Sequence, residues 1–337
     1  MNSARWGLLL LLIVAACVPT PEAPPAPPAP PPPSAIIDSP AMLQDLRVLS
    51  ADDMEGRGTG APGIEKARAY LTNRFRQVGI RPFGTTYDQA YSGRNRRGVE
   101  VSGTNLVGYL PGTGSEQRYL VVTAHYDHLG IRDGRIYNGA DDNASGTAAL
   151  LALAKYLGQH PTRHPVIFAA FSGEELGMMG SEGFVRTPPV PLSAIGVEIN
   201  MDMISRSSRN EVAVLGTWHY PFLRPWLEPL SGRAGAPKMA FGHDTPEPKE
   251  EDWTLRSDHA PFHKAGIPFV MFGGEEHVDY HRPTDDIERI KPVFYVRTVE
   301  MITRAVAVLD DRLDEFPARV APDPMRSLRQ AFGLPPG

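Results

Sequence analysis

Three strand-length, largely apolar runs that each break off into polar residues constrain this chain more than anything else in it. Leu120 to Ala124 runs into His125-Tyr126-Asp127, Val166 to Phe171 into Ser172-Gly173-Glu174-Glu175, and Val197 to Met201 into Asp202. Near-continuous apolar runs of strand length belong to strands buried on both faces, which is the habit of parallel sheets covered by helices. Ser145 to Leu157 is apolar almost all round and predicts a buried helix between the first two runs.

Further segments extend the same pattern. Ile64, Ala67, Leu71, Phe75 and Val78 recur at helical spacing, with Gly79 as a stop. Thr104 to Leu110 and Ile267 to Phe272 read as strands, a helix is expected after Phe171 through Glu182, and Arg289 to Leu313 reads as a long closing helix. The predicted fold is a single three-layer α/β domain, a mostly parallel central sheet with helices on both faces. We assign it to residues 37–314, with 315–337 as a tail rich in Pro and Arg.

The N-terminus reads as an export signal. Arg5 precedes the apolar run Gly7 to Ala16, which is too short to span a membrane but suits a signal-peptide core. Val14-Ala15-Ala16-Cys17 resembles a bacterial lipobox, so Cys17 is the expected lipidation site. Val18 rather than Asp follows it, which favours an outer-membrane anchor facing the periplasm. Residues 18–36 are Pro-rich and read as an extended stalk. The net charge of −5 argues against nucleic acid as a partner. Oligomeric state is left open.

In an open α/β sheet, ligands bind beyond the carboxyl ends of the strands. The polar residues after the three runs, the turn Asn138 to Asn143 and the segment Tyr280 to Asp285 would therefore meet at one rim. Taken singly, each has a plain explanation: Asp141-Asp142-Asn143 as helix caps, Glu174-Glu175 as acids at a helix start. Their joint occurrence at successive strand ends does not. Cys17 is the only cysteine, so a metal held here has imidazole and carboxylate donors, a set that suits zinc.

The segments TAHYDHLG, NGADDNASG, FAAFSGEELG, INMDM and DYHRPTDD resemble those of the bacterial zinc aminopeptidases related to glutamate carboxypeptidase and the transferrin receptor. MEGRGTGAPG and SDHAPFHKAGIPFVMF extend the resemblance to about residues 40–312. It implies a zinc-exopeptidase (phosphorylase/hydrolase-like) architecture and two zinc ions per chain. His125 and Asp202 would complete one ion, Glu175 and His281 the other, and Asp141 would bridge both. Glu174 would be the general base. Asp127 would orient His125, and Asp285 would do the same for His281. A cis peptide would follow the bridging residue, at Asp141–Asp142. The implied reaction is hydrolysis of the first peptide bond of peptides with a free N-terminus.

Three other activities share the pattern: a glutaminyl-peptide cyclase of the same fold, a carboxypeptidase or dipeptidase using Arg206, Arg256 or Arg282 for a substrate carboxylate, and a non-catalytic binding protein. The last would have lost ligands, and none is lost here. Asp258 is a candidate for the substrate pocket or for structural support, with Ser257 as a helix cap. His277 and Tyr280 are further candidates for lining the pocket. Trp218, Tyr220, Phe222 and Trp226 read as core, and His243 as exposed in an active-site rim loop, 241–253.

Overall fold

The computed structural model describes residues 33–95, 97–115, 118–245, 251–274 and 276–317. Cys17, most of the Pro-rich segment and the tail beyond residue 317 lie outside the described residues. The strands are β1 (Arg81–Pro82), β2 (Asp88–Arg94), β3 (Glu100–Leu110), β4 (Tyr119–His125), β5 (Gly130–Arg132), β6 (Arg135–Tyr137), β7 (Val166–Phe171), β8 (Ile195–Asp202), β9 (Glu211–Leu215), β10 (Lys238–Phe241) and β11 (Phe269–Gly273). The helices are α1 (Ser39–Leu49), α2 (Pro62–Gln77), α3 (Gly146–Gln159), α4 (Met179–Arg186), α5 (Arg224–Leu227), α6 (His259–Lys264) and α7 (Pro292–Asp311).

The main sheet runs β1-β3-β7-β4-β8-β11-β9-β10, with β2 paired to β3, and β5-β6 form a separate hairpin. Its centre, β7-β4-β8-β11, is parallel throughout, as the apolar runs require. The flanks differ from the expected mostly parallel sheet. β3 runs antiparallel to β7, β1 and β2, and β9 runs antiparallel to β11. The sheet is therefore mixed. β2 follows from a short connection to β3, which only an antiparallel pair permits. Its half-exposed residues give it no apolar run to read.

Alternate residues of the central strands feed two cores. Leu120, Val122, Phe168, Val197 and Ile199 pack with the buried faces of α1, α2, α3 and α7. Val121, Ile167, Phe171, Phe184 and Phe262 form the opposite layer under α4 and α6. Helix α3 is buried on nearly every side, as its composition predicts. Phe316, assigned to the tail from sequence, is buried against Phe222 and Trp226, so the packed domain extends past residue 315. Tyr220 belongs to the same large core, as expected. No helix among the described residues is long and apolar enough to cross a membrane.

Candidate metal centre

Because β4, β7, β8 and β11 run in one direction, their carboxyl ends share one edge of the sheet, and the site is assembled there. Arg57 braces it from below. Its side chain is fully buried and donates to four main-chain carbonyls: Nε to Tyr126 at 2.8 Å, Nη1 to Leu49 at 2.5 Å and Asn138 at 2.7 Å, and Nη2 to Gly139 at 3.0 Å. It thereby ties the end of β4 to the turn before α3. Burial lowers its pKa to about 10 against the pull of Asp142, Asp127, Asp285 and Glu175, so it stays charged at neutral pH.

The turn itself depends on glycine and on Asp285. Gly139 has φ +55°, and a Cβ there would meet the Asp142 carbonyl oxygen at 2.0 Å and the His128 ring at 2.5 Å. The Asp285 carboxylate accepts from the main-chain N–H groups of Asp141 at 3.1 Å and Asp142 at 3.0 Å. Asp285 thus holds the turn and not His281, a correction to its expected role. Burial, with the charge of Asp141, raises its pKa to about 7 despite these N–H donors.

The turn sends consecutive carboxylates in opposite directions. Asp142 Oδ1 lies 3.5 Å from His125 Nε2, and Oδ2 lies 3.2 Å from His281 Nε2. Asp202 Oδ1 is 3.2 Å from His125 Nε2, and Glu175 Oε2 is 3.4 Å from His281 Nε2. Asp142 therefore stands between two donor groups, His125 with Asp202 and His281 with Glu175. Asp142, and not Asp141 as expected, is the residue that faces both groups. Asp141 Oδ1 instead accepts from the Ser205 N–H at 2.8 Å and hydroxyl at 2.7 Å, and Oδ2 lies 3.0 Å from His277 Nε2. The cis peptide is likewise one residue later than expected, at Asp142–Asn143.

Neighbours fix the tautomer of His125 and the aim of Asp202. His125 Nδ1 lies 3.1 Å from the Asp127 carbonyl, which can only accept, so Nδ1 carries a proton and Nε2 faces the carboxylates of Asp202 and Asp142. The Asp127 carboxylate is 3.7 Å from Nδ1, and it accepts from the Glu174 N–H at 3.2 Å and the Thr59 hydroxyl at 3.0 Å. Asp202 Oδ2 accepts from the Ser257 hydroxyl at 2.7 Å, Ser257 accepts from Asn200 Nδ2 at 2.9 Å, and Thr123 donates within hydrogen-bond reach of Glu198 and Asn200. A polar chain between sheet and α6 thus ends on Asp202. Ser257 works there, not as a helix cap.

The basin is rich in negative charge. Burial pushes the Glu174 carboxyl well above its ordinary pKa, with Asp258, Glu175 and Asp202 adding to the shift against His125. Burial also raises Glu175 to about 7, against His281 and His125. Burial pushes His125 down, but Asp202 and Asp127 outweigh it and hold the imidazole well above its usual value. Among the described residues, no Lys or Arg side chain makes an ion pair with Asp142, Asp202 or Glu175; their close partners are imidazoles and, for Asp202, the Ser257 hydroxyl. Carboxylates that outnumber the cations beside them, as here with only Arg57 and the imidazoles nearby, are what a divalent ion would stabilise.

A cavity of about 740 Å³ opens onto this basin, lined by His125, Glu174, Asp202, Tyr280 and His281 among others. Tyr280 is part of its lining and stacks on His281, with ring centroids 3.8 Å apart. Two other pocket candidates are elsewhere. His277 accepts from the Asp279 N–H at Nδ1, leaving Nε2 as donor to Asp141. Asp258 is buried behind α4 and accepts from Ser181 at 2.6 Å, with its pKa raised to about 7 by burial. Of the arginines considered, Arg206 is paired with Asp279 at 2.8 Å, while Arg256 lines the cavity but pairs with Glu251 and Glu276. His243 is stacked on Trp253 and not freely exposed.

Sequence reasoning missed Asp142, Arg57, Ser257 as a partner of Asp202, and His128. His128 Nδ1 lies 2.8 Å from Glu175 Oε1 and 3.6 Å from Asp142 Oδ2. The histidine in TAHYDHLG was legible as a potential ligand type, but nothing in the spacing marked its direction.

Fold and donor set together define a class: α/β metalloproteins whose ions are held by carboxylates and imidazoles at the carboxyl rim of the sheet. The chain belongs to peptidase family M28, whose family model matches residues 105–306. It is 33% identical to aminopeptidase YwaD of Bacillus subtilis over 197 residues, which cover 55% of this chain and 40% of YwaD. The chain spans less than two thirds of the length of the curated relatives it matches. Its fold is that of a zinc aminopeptidase from Bacillus subtilis, with a TM-score of 0.64 at 17% identity over 81% of this chain and 96% of that one. A glutaminyl cyclase from Porphyromonas gingivalis shares it, with a TM-score of 0.66 at 16% identity over 81% and 99%.

Proposed function

We propose that this chain is a two-zinc aminopeptidase, exported and held to a membrane by a lipid on Cys17. The observation that carries the reading is Asp142, whose two oxygens face separate imidazole–carboxylate pairs. His125, Asp202 and Asp142 would hold one ion, and His281, Glu175 and Asp142 the other. When bound, such ions supply Lewis acidity at a peptide carbonyl and lower the pKa of water.

The remaining work falls to side chains of this chain. Glu174 lies on the cavity wall beside both donor groups, and its main-chain N–H is held by Asp127. As the general base it would take a proton during attack and return it to the leaving amine. Asp127 and Ser257 keep His125 and Asp202 in place during turnover. Tyr280, stacked on His281, narrows the cavity beside the reacting bond. The retained base and the aminopeptidase name of the Bacillus relative favour peptide hydrolysis from the N-terminus. The N-terminal apolar run, Cys17 and the Pro-rich stalk support the anchor, and the periplasmic face of the outer membrane is the proposed site.

The test is an assay of zinc-reconstituted protein on leucine anilide, its N-acetylated form and a peptide beginning with Gln. Cleavage of the free-amine substrate alone is the expected result. Cyclisation of the Gln peptide without anilide hydrolysis would assign the cyclase reaction instead.

A further inference from the structure

We infer that His128 is a third imidazole ligand of the metal centre, completing the ion held by Asp142, Glu175 and His281. The inference rests on the two-zinc reading above and deepens it.

His128 is buried to 1% exposure, and among the described residues neither ring nitrogen has a hydrogen-bond partner. Its Nδ1 is nevertheless 2.8 Å from Glu175 Oε1, and that oxygen also lacks a hydrogen-bond partner. Two polar atoms this close, buried and not aligned to share a proton, are arranged as neighbours around a common cation. Zinc–donor bonds of about 2.0–2.2 Å leave adjacent donors roughly 3–3.5 Å apart. His281 Nε2 is 3.2 Å from Asp142 Oδ2 and 3.4 Å from Glu175 Oε2, while His128 Nδ1 is 2.8 Å from Glu175 and 3.6 Å from Asp142 Oδ2. The donor atoms of His128, Asp142 and Glu175 all lie within 4.8 Å of one another, as do those of His125, Asp142 and Asp202. The His128 and His281 rings, with centroids 5.9 Å apart and planes at 60°, flank the same carboxylates from two sides.

The position is built, not incidental. Gly139 leaves the room that a Cβ would take from the His128 ring. The His128 main-chain N–H donates to the Arg57 carbonyl at 3.2 Å, and Arg57 in turn fixes Gly139. The consequence is an asymmetric pair of sites. The ion at His125 and Asp202 would keep one imidazole, and residues of both donor groups line the cavity. The ion at His281 would have two imidazoles, the buried His128 and the part-exposed His281.

The test is proton NMR of the dicobalt form of the whole protein, in which each coordinated imidazole gives one shifted, exchangeable N–H signal. Three such signals are expected in the wild type and two in His128→Asn. Uptake of the second ion by that variant should weaken about ten- to hundredfold. Two signals in the wild type would overturn the assignment, and this holds even if the variant does not fold. Weakened uptake with an unchanged signal count would also overturn it, making His128 a positioning residue for Glu175. Uptake of fewer than two ions by the wild type would sink the parent reading as well. Two ions bound with two signals would sink the His128 assignment alone.

Discussion

Asp141 and Asp142 are adjacent in sequence, yet their carboxylates serve different partners: Asp142 faces His125 and His281, and Asp141 is held by Ser205 and His277. Asp142→Asn should therefore lose metal, and Asp141→Asn should keep both ions while losing stability. Breaking buried hydrogen bonds at Asp141 costs on the order of 1–3 kcal/mol each. Elemental analysis beside denaturant unfolding separates the two effects, and metal loss confined to Asp141→Asn would contradict the geometry.

Glu174→Gln should leave metal content unchanged and lower kcat by roughly 10²–10⁴-fold, the usual worth of a positioned general base. The side chain is not needed to bind the ions, so zinc stoichiometry and turnover measured on the same sample check this. Turnover close to wild type removes Glu174 from the reaction.

Ser257→Ala should weaken the ion at His125 and Asp202 by about ten- to hundredfold, because its hydroxyl fixes Asp202 Oδ2. Competition with a chelator reads this directly. Unchanged zinc affinity at both sites would show that Asp202 needs no such support.

The metal-free protein should become less stable as pH rises from about 4.5 to about 7. Burial raises the folded-state pKa of Glu175 and Asp258 to about 7, above their unfolded values. The folded state then binds more protons than the unfolded state across that window, so stability falls as these groups ionise. Thermal melting of the metal-free protein at several pH values tests the sign, and zinc should remove the share of the decline that comes from Glu175. Asp258→Asn should flatten the slope, since its amide cannot ionise. Stability that rises over this window would contradict the account.

The strand-end rim was legible because apolar runs on parallel strands bring their last residues to one edge, and His125, Glu174, Glu175 and Asp202 are placed by that rule alone. Whether Asp141 or Asp142 faces the basin was not legible. It depends on the left-handed Gly139, the Asp142 backbone at φ −103° and ψ 99°, and the grip of Asp285 about 140 residues away. Arg57 escaped notice because three of its four carbonyl partners are 69 to 82 residues distant, and no local pattern reports that. Strands β2 and β10 were missed for a related reason, since half-exposed edge strands carry little apolar signal. Asp258 and His277 carry the right chemistry for a pocket, and only packing shows that one faces Ser181 and the other Asp141.

The most direct test of the central claim is anomalous diffraction at the zinc absorption edge from crystals of the zinc-loaded protein. The account predicts two peaks on either side of the Asp142 carboxylate, one against His125 and Asp202 and the other against Glu175 and His281. A single peak, or a pair bridged by Asp141, would contradict it.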